Sequence, residues 1–339
     1  MAINFQAINS LNSIGILDAY HTGTLEGYTP PGFVAPEIFR AVPSPVDTAQ
    51  LIKSYLPLTL NDTIELGPTG FATIRLNFFR DKTFAMSYKG LQARLESYDI
   101  QQFGGNSRAK AIWYKQLSIA IDVAREYKIA SALNDPTVIT QYFTPTYTYD
   151  DYTNSDPIGD FAKARSIVVG GVGASYGCGI EANVAIMNWE VFNSLCSNPK
   201  LIYAPYRTAL MANASEQTLD AKQLAAIMKV EKIIIGKSRY NSAEENQVPI
   251  LTQLWGNSIL FAHVNLDITP DDAQQSIGYQ FIPSTPDQGA PEVSYEWAQP
   301  GTLMQGMGSW LTRAKKYDDK LTDATCGCLI LNAVSSSLR

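Results

Sequence analysis

Apolar residues recur along this chain with three different spacings, and each spacing predicts a different kind of element. From Thr63 to Tyr98 the spacing is short and β-rich: Thr69–Phe79 and Thr83–Tyr88 flank Arg80-Asp81-Lys82, which reads as a hairpin with a polar tip. From Ser107 the spacing lengthens to the helical one. Ile112, Trp113, Leu117, Ala120, Ile121, Ala124 and Tyr127 fall on one face, with Lys110, Lys115, Asp122, Arg125 and Lys128 on the other. Asn106 or Ser107 can cap this helix and Asn134-Asp135-Pro136 ends it. A helix of roughly 27 residues spans about 40 Å, long enough to act as a strut. Over Asn183–Val264 the apolar residues come in short runs instead. Asn183–Met187 predicts a strand, Asn188-Trp189 opens a short helix, and Leu219–Val230 predicts a second one. Strands follow at Lys232–Gly236 and, after a Trp255-Gly256-Asn257 turn, at Ile259–Val264. Cys326–Ala333 predicts a last buried strand.

Between these patterned segments the chain is irregular. Residues 1–58 carry Pro30-Pro31-Gly32, Pro36, Pro43 and Pro45, and show a single helical face, Val46–Tyr55, stopped by Pro57. The same segment holds Phe5, Ile14, Ile16, Leu17, Phe33, Ile38 and Phe39, too apolar for a free tail. It reads as an extended arm lying on its own domain or on a neighbour. Residues 140–160 form a Tyr/Thr/Asp loop, and Thr269–Pro300 a Pro/Gln/Gly-rich stretch. No internal repeat is present.

Composition narrows what such a chain does. With 339 residues and 45% hydrophobic side chains it can bury a sizeable core, in two domains or one extended one. Charged residues reach only 17%, while there are 18 Tyr, 13 Phe and 5 Trp, a balance that suits a surface hidden against other proteins. The net charge of −6 argues against gripping phosphate backbones. No run of apolar residues is long enough for a membrane span. The first residues lack the basic and apolar regions of a signal peptide. Four Cys make no disulfide framework, so synthesis in a reducing cytoplasm is expected.

The strings that resemble chemistry fail on context. Gly173-Ala174-Ser175-Tyr176-Gly177 matches the G-x-S-x-G elbow of serine hydrolases, follows a strand-like Ser166–Gly171, and has His263 downstream. An elbow must feed a long helix, yet Cys178-Gly179 and then a strand follow, and His263 sits in a strand of its own. A glycine-rich connection is the better reading. Gly171-Val172-Gly173 with Gly177 misses the dinucleotide fingerprint in spacing and in context. His21 and His263 lie in unrelated segments. Cys326-Gly327-Cys328 puts two thiols on one strand face without a second pair to complete a metal site, so both read as packed thiols. Asp150-Asp151, Asp271-Asp272 and Asp318-Asp319 lie in polar loops and lack the pattern of a calcium loop. No catalytic, cofactor-binding or metal-ligating residue is assigned.

With chemistry set aside, the words of the second half carry a resemblance. Asn183-Val184-Ala185-Ile186-Met187 leading to Trp189, Ile233–Gly236 followed by Tyr240-Asn241, Trp255-Gly256-Asn257 before Ile259–Ala262, and Gly327–Val334 together resemble the lambda-type major capsid protein E family of tailed phages. The resemblance implies an α+β protein of the Hong Kong 97-type capsid fold. Its parts would be an N-terminal arm (1–58), an extended hairpin or E-loop (59–106), and a peripheral domain with a long spine helix (107–165). An axial domain (166–256) and return strands, mainly of the peripheral domain (257–339), would follow. Upstream of residue 166 only the order of elements supports the match, and that order agrees with the independent reading.

The resemblance further implies a virion structural protein rather than an enzyme, assembled in the host cytoplasm without cofactors. Its copies would form the pentamers and hexamers of an icosahedral head shell and enclose double-stranded DNA without sequence-specific binding. Partners would be a scaffolding protein, a portal protein and, in some relatives, a decoration protein. Family members assemble a procapsid that then expands, with the arm and hairpin expected to move most. Some relatives crosslink a hairpin Lys to a neighbour's Asn; Lys82 and Lys89 occupy the hairpin here, but nothing singles out a partner. The competing classes are a serine hydrolase acting through Ser175 and a binding module that does not assemble.

Overall fold

The computed structural model describes residues 15–17, 32–54, 78–95, 106–171, 177–203, 219–243, 247–248, 250–266, 275–285, 288–298 and 309–335. Two sheets organise them. A five-stranded sheet has the order β6 (Tyr142–Phe143), β15 (Gly327–Ile330), β11 (Ile259–Ala262), β7 (Val184–Asn188), β8 (Lys232–Gly236). A six-stranded sheet runs β1 (Gly15–Leu17), β13 (Glu292–Ala298), β14 (Ser309–Leu321), β12 (Gly278–Pro283), β2 (Arg40–Ser44), with β5 (Ser87–Leu95) also paired to β14. A smaller ribbon pairs β3 (Thr48–Ser54) with β4 (Phe78–Ala85), and another pairs β9 (Arg239–Asn241) with β10 (Leu251–Gln253).

The five-stranded sheet with its helices is an α/β module whose elements follow the predicted order. Every residue of β7, β11 and β15 is buried. Such strands cannot alternate polar with apolar, because both faces are covered. β7 runs parallel to β8 and antiparallel to β11, which in turn pairs antiparallel with β15. Asn188 ends β7 and caps α4 (Trp189–Cys196), its side-chain oxygen accepting from Val191 N at 2.7 Å. A capping box of Asp220 and Gln223 opens α6 (Ala221–Met228), and Lys229 closes it in the left-handed region. Between them Asn198 caps the single turn α5 (Pro199–Ile202).

The rest of the molecule departs from the sequence reading at several points. Val46–Tyr55 was expected as helix, but Thr48–Ser54 is strand β3. Ala49 and Leu51 fit a period of two as well as a helical one, and pairing with β4 decides between them: Ala49 faces Phe84. Arg80-Asp81-Lys82 is not a turn; it lies inside β4. Register runs Leu51↔Lys82 and then Lys53↔Phe79, so Ile52 alone opposes Arg80 and Asp81. The polar triplet marks a β-bulge, which kinks a strand without reversing it. The chain between β3 and β4, including Thr69–Asn77, lies outside the described residues. Thr269–Pro300, expected as irregular, contains β12 and β13.

The strut helix is present as α2, Asn106–Leu133, 28 residues long. Its predicted apolar face is only half right. Leu117 and Ile121 are buried, but Ala120, Ala124 and Tyr127 are exposed, and Ala109, Tyr114, Ile129, Ala130 and Leu133 are buried instead. The reason is that α2 serves two cores. Its first half meets Leu95 and Leu311 in a small core of the six-stranded side. Its last turns enter the main core of the α/β module, together with Val34, Ala35, Ile38 and Phe39 of the arm. A third cluster, Phe84, Met86, Tyr279 and Phe281, seats β4 on β12; Phe84 and Phe281 stack with centroids 4.0 Å apart.

Candidate functional site

The G-x-S-x-G locus folds differently from an elbow. Ser166–Val169, read as strand, is the last turn of α3 (Pro157–Val169), whose buried Phe161, Ala164, Ile167 and Val168 form a helical face. Asp156 caps α3, accepting from Gly159 N at 3.2 Å, and Pro157 takes the first helical position. Gly170 closes it at φ 97°, its N–H shared between Ile167 O and Ser166 O. The glycine loop therefore meets a helix carboxyl end, which presents carbonyl oxygens; an oxyanion or a phosphate needs the N–H end. Ser175 lies outside the described residues. The His263 ring nitrogen Nδ1 sits 2.9 Å from Glu181 O, and among the described residues no carboxylate bonds to that ring. Among the described residues this locus has neither the strand-turn-helix of an elbow nor a carboxylate bonded to His263.

What the fold concentrates instead is a joint around Glu126, which is fully buried on α2. Its carboxylate accepts from Val34 N at 2.9 Å and Ala35 N at 2.8 Å, where the arm enters α1 (Ala35–Ile38). It also accepts from Trp255 Nε1 at 2.6 Å. One side chain thus ties the arm, the strut helix and the turn before β11. Burial pushes the Glu126 carboxyl above its usual range, against the three N–H donors that hold it down. The Trp255 indole packs over Gly236, where a Cβ would overlap it. Asn188 Nδ2 donates to Asn257 Oδ1 at 3.0 Å, knitting the end of β7 to the start of β11. The Trp-Gly-Asn word was legible in the sequence; Glu126 was missed. Its signal was a lone acid at helical spacing from Ile129, Ala130 and Leu133.

A second joint fixes the root of the β3–β4 ribbon. Lys316 Nζ lies 2.8 Å from Asp47 Oδ1, Lys82 Nζ donates to Leu321 O at 3.0 Å, and Asp318 accepts from Ala85 N at 3.0 Å. Lys89 stands over the Tyr317 ring and 3.9 Å from Asp318; burial lowers its pKa, partly offset by Asp319 and Asp318. Both hairpin lysines are thus engaged within the chain. On the same strand Arg125 clamps Asp319 through two bonds of 2.7 and 2.9 Å, and Lys315 reaches Asp122 at 2.6 Å. Lys110 reaches Glu296 of β13 at 2.6 Å. Arg313, fully buried, pairs with Glu292 at 2.7 Å. Lys110, Asp122 and Arg125 of the polar side of α2 therefore face protein, while Lys115 and Lys128 stay exposed. Asp318-Asp319, expected in a loop, sit on β14.

The other candidate groups resolve simply. Asp151 makes a local turn, accepting from Thr153 N and Asn154 N, and Asp150 accepts from Ser335. Asp271-Asp272 and His21 lie outside the described residues. Among the described residues no cluster of His, Cys, Asp or Glu could hold a metal ion. Cys326 ends a 3₁₀ turn, Ala324–Cys326, rather than lying on β15, so it shares no strand face with Cys328. All four cysteines are buried thiols. No described helix is long and apolar enough to cross a membrane.

Comparison with known proteins places this arrangement. No protein-family model matches the sequence, and no curated protein matches it. Solved structures do. A phage-related protein from Bordetella bronchiseptica RB50 superposes with a TM-score of 0.66 at 15% identity, over 94% of this chain and 98% of that one. The capsid of cyanophage P-SCSP1u gives 0.52 at 9% identity, over 90% of each chain. A structure from Microbacterium phage Oxtober96 gives 0.50 at 10% identity, over 97% and 99%. The chain has the Hong Kong 97-type fold of phage capsid proteins.

Proposed function

We propose that this chain is the major capsid protein of a tailed phage, copies of which close into the pentamers and hexamers of an icosahedral head around double-stranded DNA. The observation that carries the reading is the end-to-end likeness to phage structures, over 94% of this chain and 98% of the first relative. A likeness of that extent leaves little of either chain outside the shared fold. On this reading β3 and β4 are the stem of the extended hairpin, α2 is the spine helix, and the α/β module is the axial domain. The return strands β12–β14 belong to the peripheral domain. The extended hairpin is then rooted at Asp47 and Ala85, so it begins before residue 59 and ends well before residue 106, because those two residues are where β14 holds it.

Physical features of the chain fit the role. Rings of five and six form through head-to-tail contacts between unlike faces of identical copies. The isolated chain leaves Tyr203 82% exposed and Val248 83% exposed in the module, apolar surface that a ring contact would cover. A net charge of −6 suits a container from which DNA must slide freely during filling. Assembly on a scaffolding protein, attachment to a portal, expansion of a procapsid and residence in the virion belong to the same proposal, with a decoration protein as an option. No catalytic activity is part of it.

The test is the mass and shape of the purified chain, by light scattering and electron microscopy. Closed shells, or rings of five and six, are expected, alone or with the scaffolding protein. A monodisperse monomer that stays so with a scaffold would overturn the reading, as would an esterase activity abolished by Ser175→Ala.

A further inference from the structure

The α/β module carries, at separate places, an exposed apolar tip and an apolar groove that its own tip does not fill. The tip is the far end of the β9–β10 ribbon. Ser242 N donates to Ile250 O at 2.9 Å there, and the Ser242 and Thr252 hydroxyls lie 2.8 Å apart. Val248 is 83% exposed and Ile250 59%. Two residues apart, they fall on one side of an extended segment, and a proline at 249 biases Val248 toward that backbone. The sequence from Ser242 to Ile250 holds Glu244 and Glu245, which lie outside the described residues, and no Lys or Arg.

The groove lies beside β8, the last strand of its sheet, whose outer edge pairs with no strand among the described residues. Its volume is about 400 Å³, and Phe33, Ile233 and Ile235 line it together with Glu37, Lys232 and Lys237. Ile233 and Ile235 are also two apart, the same spacing as Val248 and Ile250. Lys232 pairs with Glu37. Among the described residues no carboxylate pairs with Lys237, which stands 4.6 Å from the Trp189 ring. On a chain of net charge −6, an apolar groove with an uncompensated lysine thus matches an apolar tip with two acids.

We propose that the β9–β10 tip of one copy seats in the β8 groove of the next copy. Val248 and Ile250 would rest on Ile233, Ile235 and Phe33, with the acidic side of the tip toward Lys237. A knob and a groove on different parts of one chain make a head-to-tail contact, and such contacts close into rings when the rotation allows. Apolar burial supplies most of the strength, while the charges set register and speed encounter. The proposal deepens the capsid reading by naming two faces of a ring contact, and it rests on that reading for closure into fives and sixes.

The experiment mixes full-length Val248→Cys chain with heavy-isotope unsubstituted chain and adds a short thiol-to-amine crosslinker. A linked peptide joining the thiol placed at 248 to the heavy Lys237 or Lys232 is expected; the native cysteines are buried. Val248→Asp should keep the melting temperature of the unsubstituted chain, because the site is exposed, and raise the concentration needed for assembly by about tenfold or more. Lys237→Glu should also weaken assembly, and its deficit should shrink as salt is added. Links confined to one copy, linked species that stop at two copies, or a Val248→Asp chain that assembles like the unsubstituted one would each overturn the contact. Shells that form unchanged in Val248→Asp remove the contact and keep the capsid reading. An unsubstituted chain that never assembles and gives no mixed link removes both.

Discussion

In the five-stranded sheet every residue of β7, β11 and β15 is buried, whereas β14 of the six-stranded sheet carries Arg313, Lys315, Lys316, Asp318 and Asp319 almost in succession. The first sheet is sealed chiefly by apolar contact, with Asn183 and Asn188 hydrogen-bonded at its strand ends. The second is stitched: its central strand holds the strut helix through Asp122 and Arg125, and the ribbon root through Asp47 and Ala85. Burial is non-directional and strong, so the module is a rigid body. Ion pairs and single hydrogen bonds are directional, weaker and responsive to salt and pH, so the frame can be re-set piece by piece. On the capsid reading proposed above, expansion would use both: a module that keeps its shape while the hairpin and arm change theirs, with Glu126 standing where the two meet.

The largest expected effect lies inside the module. Phe261 is fully buried against Phe161, with centroids 5.7 Å apart, and Phe261→Ala should cost about 3–5 kcal/mol by urea unfolding. A loss below that of the frame substitutions would break the contrast between the two sheets. Next comes the joint. Glu126→Ala leaves three buried N–H donors without their acceptor and should cost about 3 kcal/mol. Titration gives an independent check. The folded chain holds the Glu126 proton more tightly than the unfolded chain, whose value is near 4.5. The stability this supplies is full below that value and is lost as pH rises through the raised folded one. The unsubstituted chain should therefore lose ground to Glu126→Gln as pH rises through that window. Equal slopes would remove Glu126 as the titrating group.

Smaller effects sharpen the picture of the frame. Asp319→Asn breaks the two-bond clamp on Arg125 and should cost about 1–2 kcal/mol, with faster hydrogen exchange in the start of α2 or in β5 but not in β11. Exchange rising equally in both sheets would show that they unfold as one unit. At the bottom of the scale is the pair of Lys232 and Glu37, both more than a third exposed. Lys232→Ala should change stability by no more than about 0.5 kcal/mol.

The same contrast explains which parts were legible. Runs such as Ile233-Ile234-Ile235 and Ile259-Leu260-Phe261-Ala262 pack against a core wherever they fold, and Asn188 and Asp220 cap helices within their own few residues. Those elements were read correctly, as was the extent of α2. The frame was misread because its choices are made at a distance. Ala49 and Leu51 fit either period until Phe84 and Lys82 arrive from beyond the hairpin. Ile167-Val168-Val169 looks like a strand until Asp156 and Pro157 start a helix ten residues earlier. Asp122 and Arg125 look like a solvent face until β14 returns from the far end of the chain.

By itself the sequence determined most strands and helices of the α/β module and the extent of the strut helix, because each rests on residues near in the chain. Only the tertiary structure decided where the hairpin is rooted, which face of α2 is buried, and that Glu126 joins three segments. Each of these depends on contacts between residues far apart in sequence, and a local pattern carries no record of which distant side chain will neutralise a charge or fill a face.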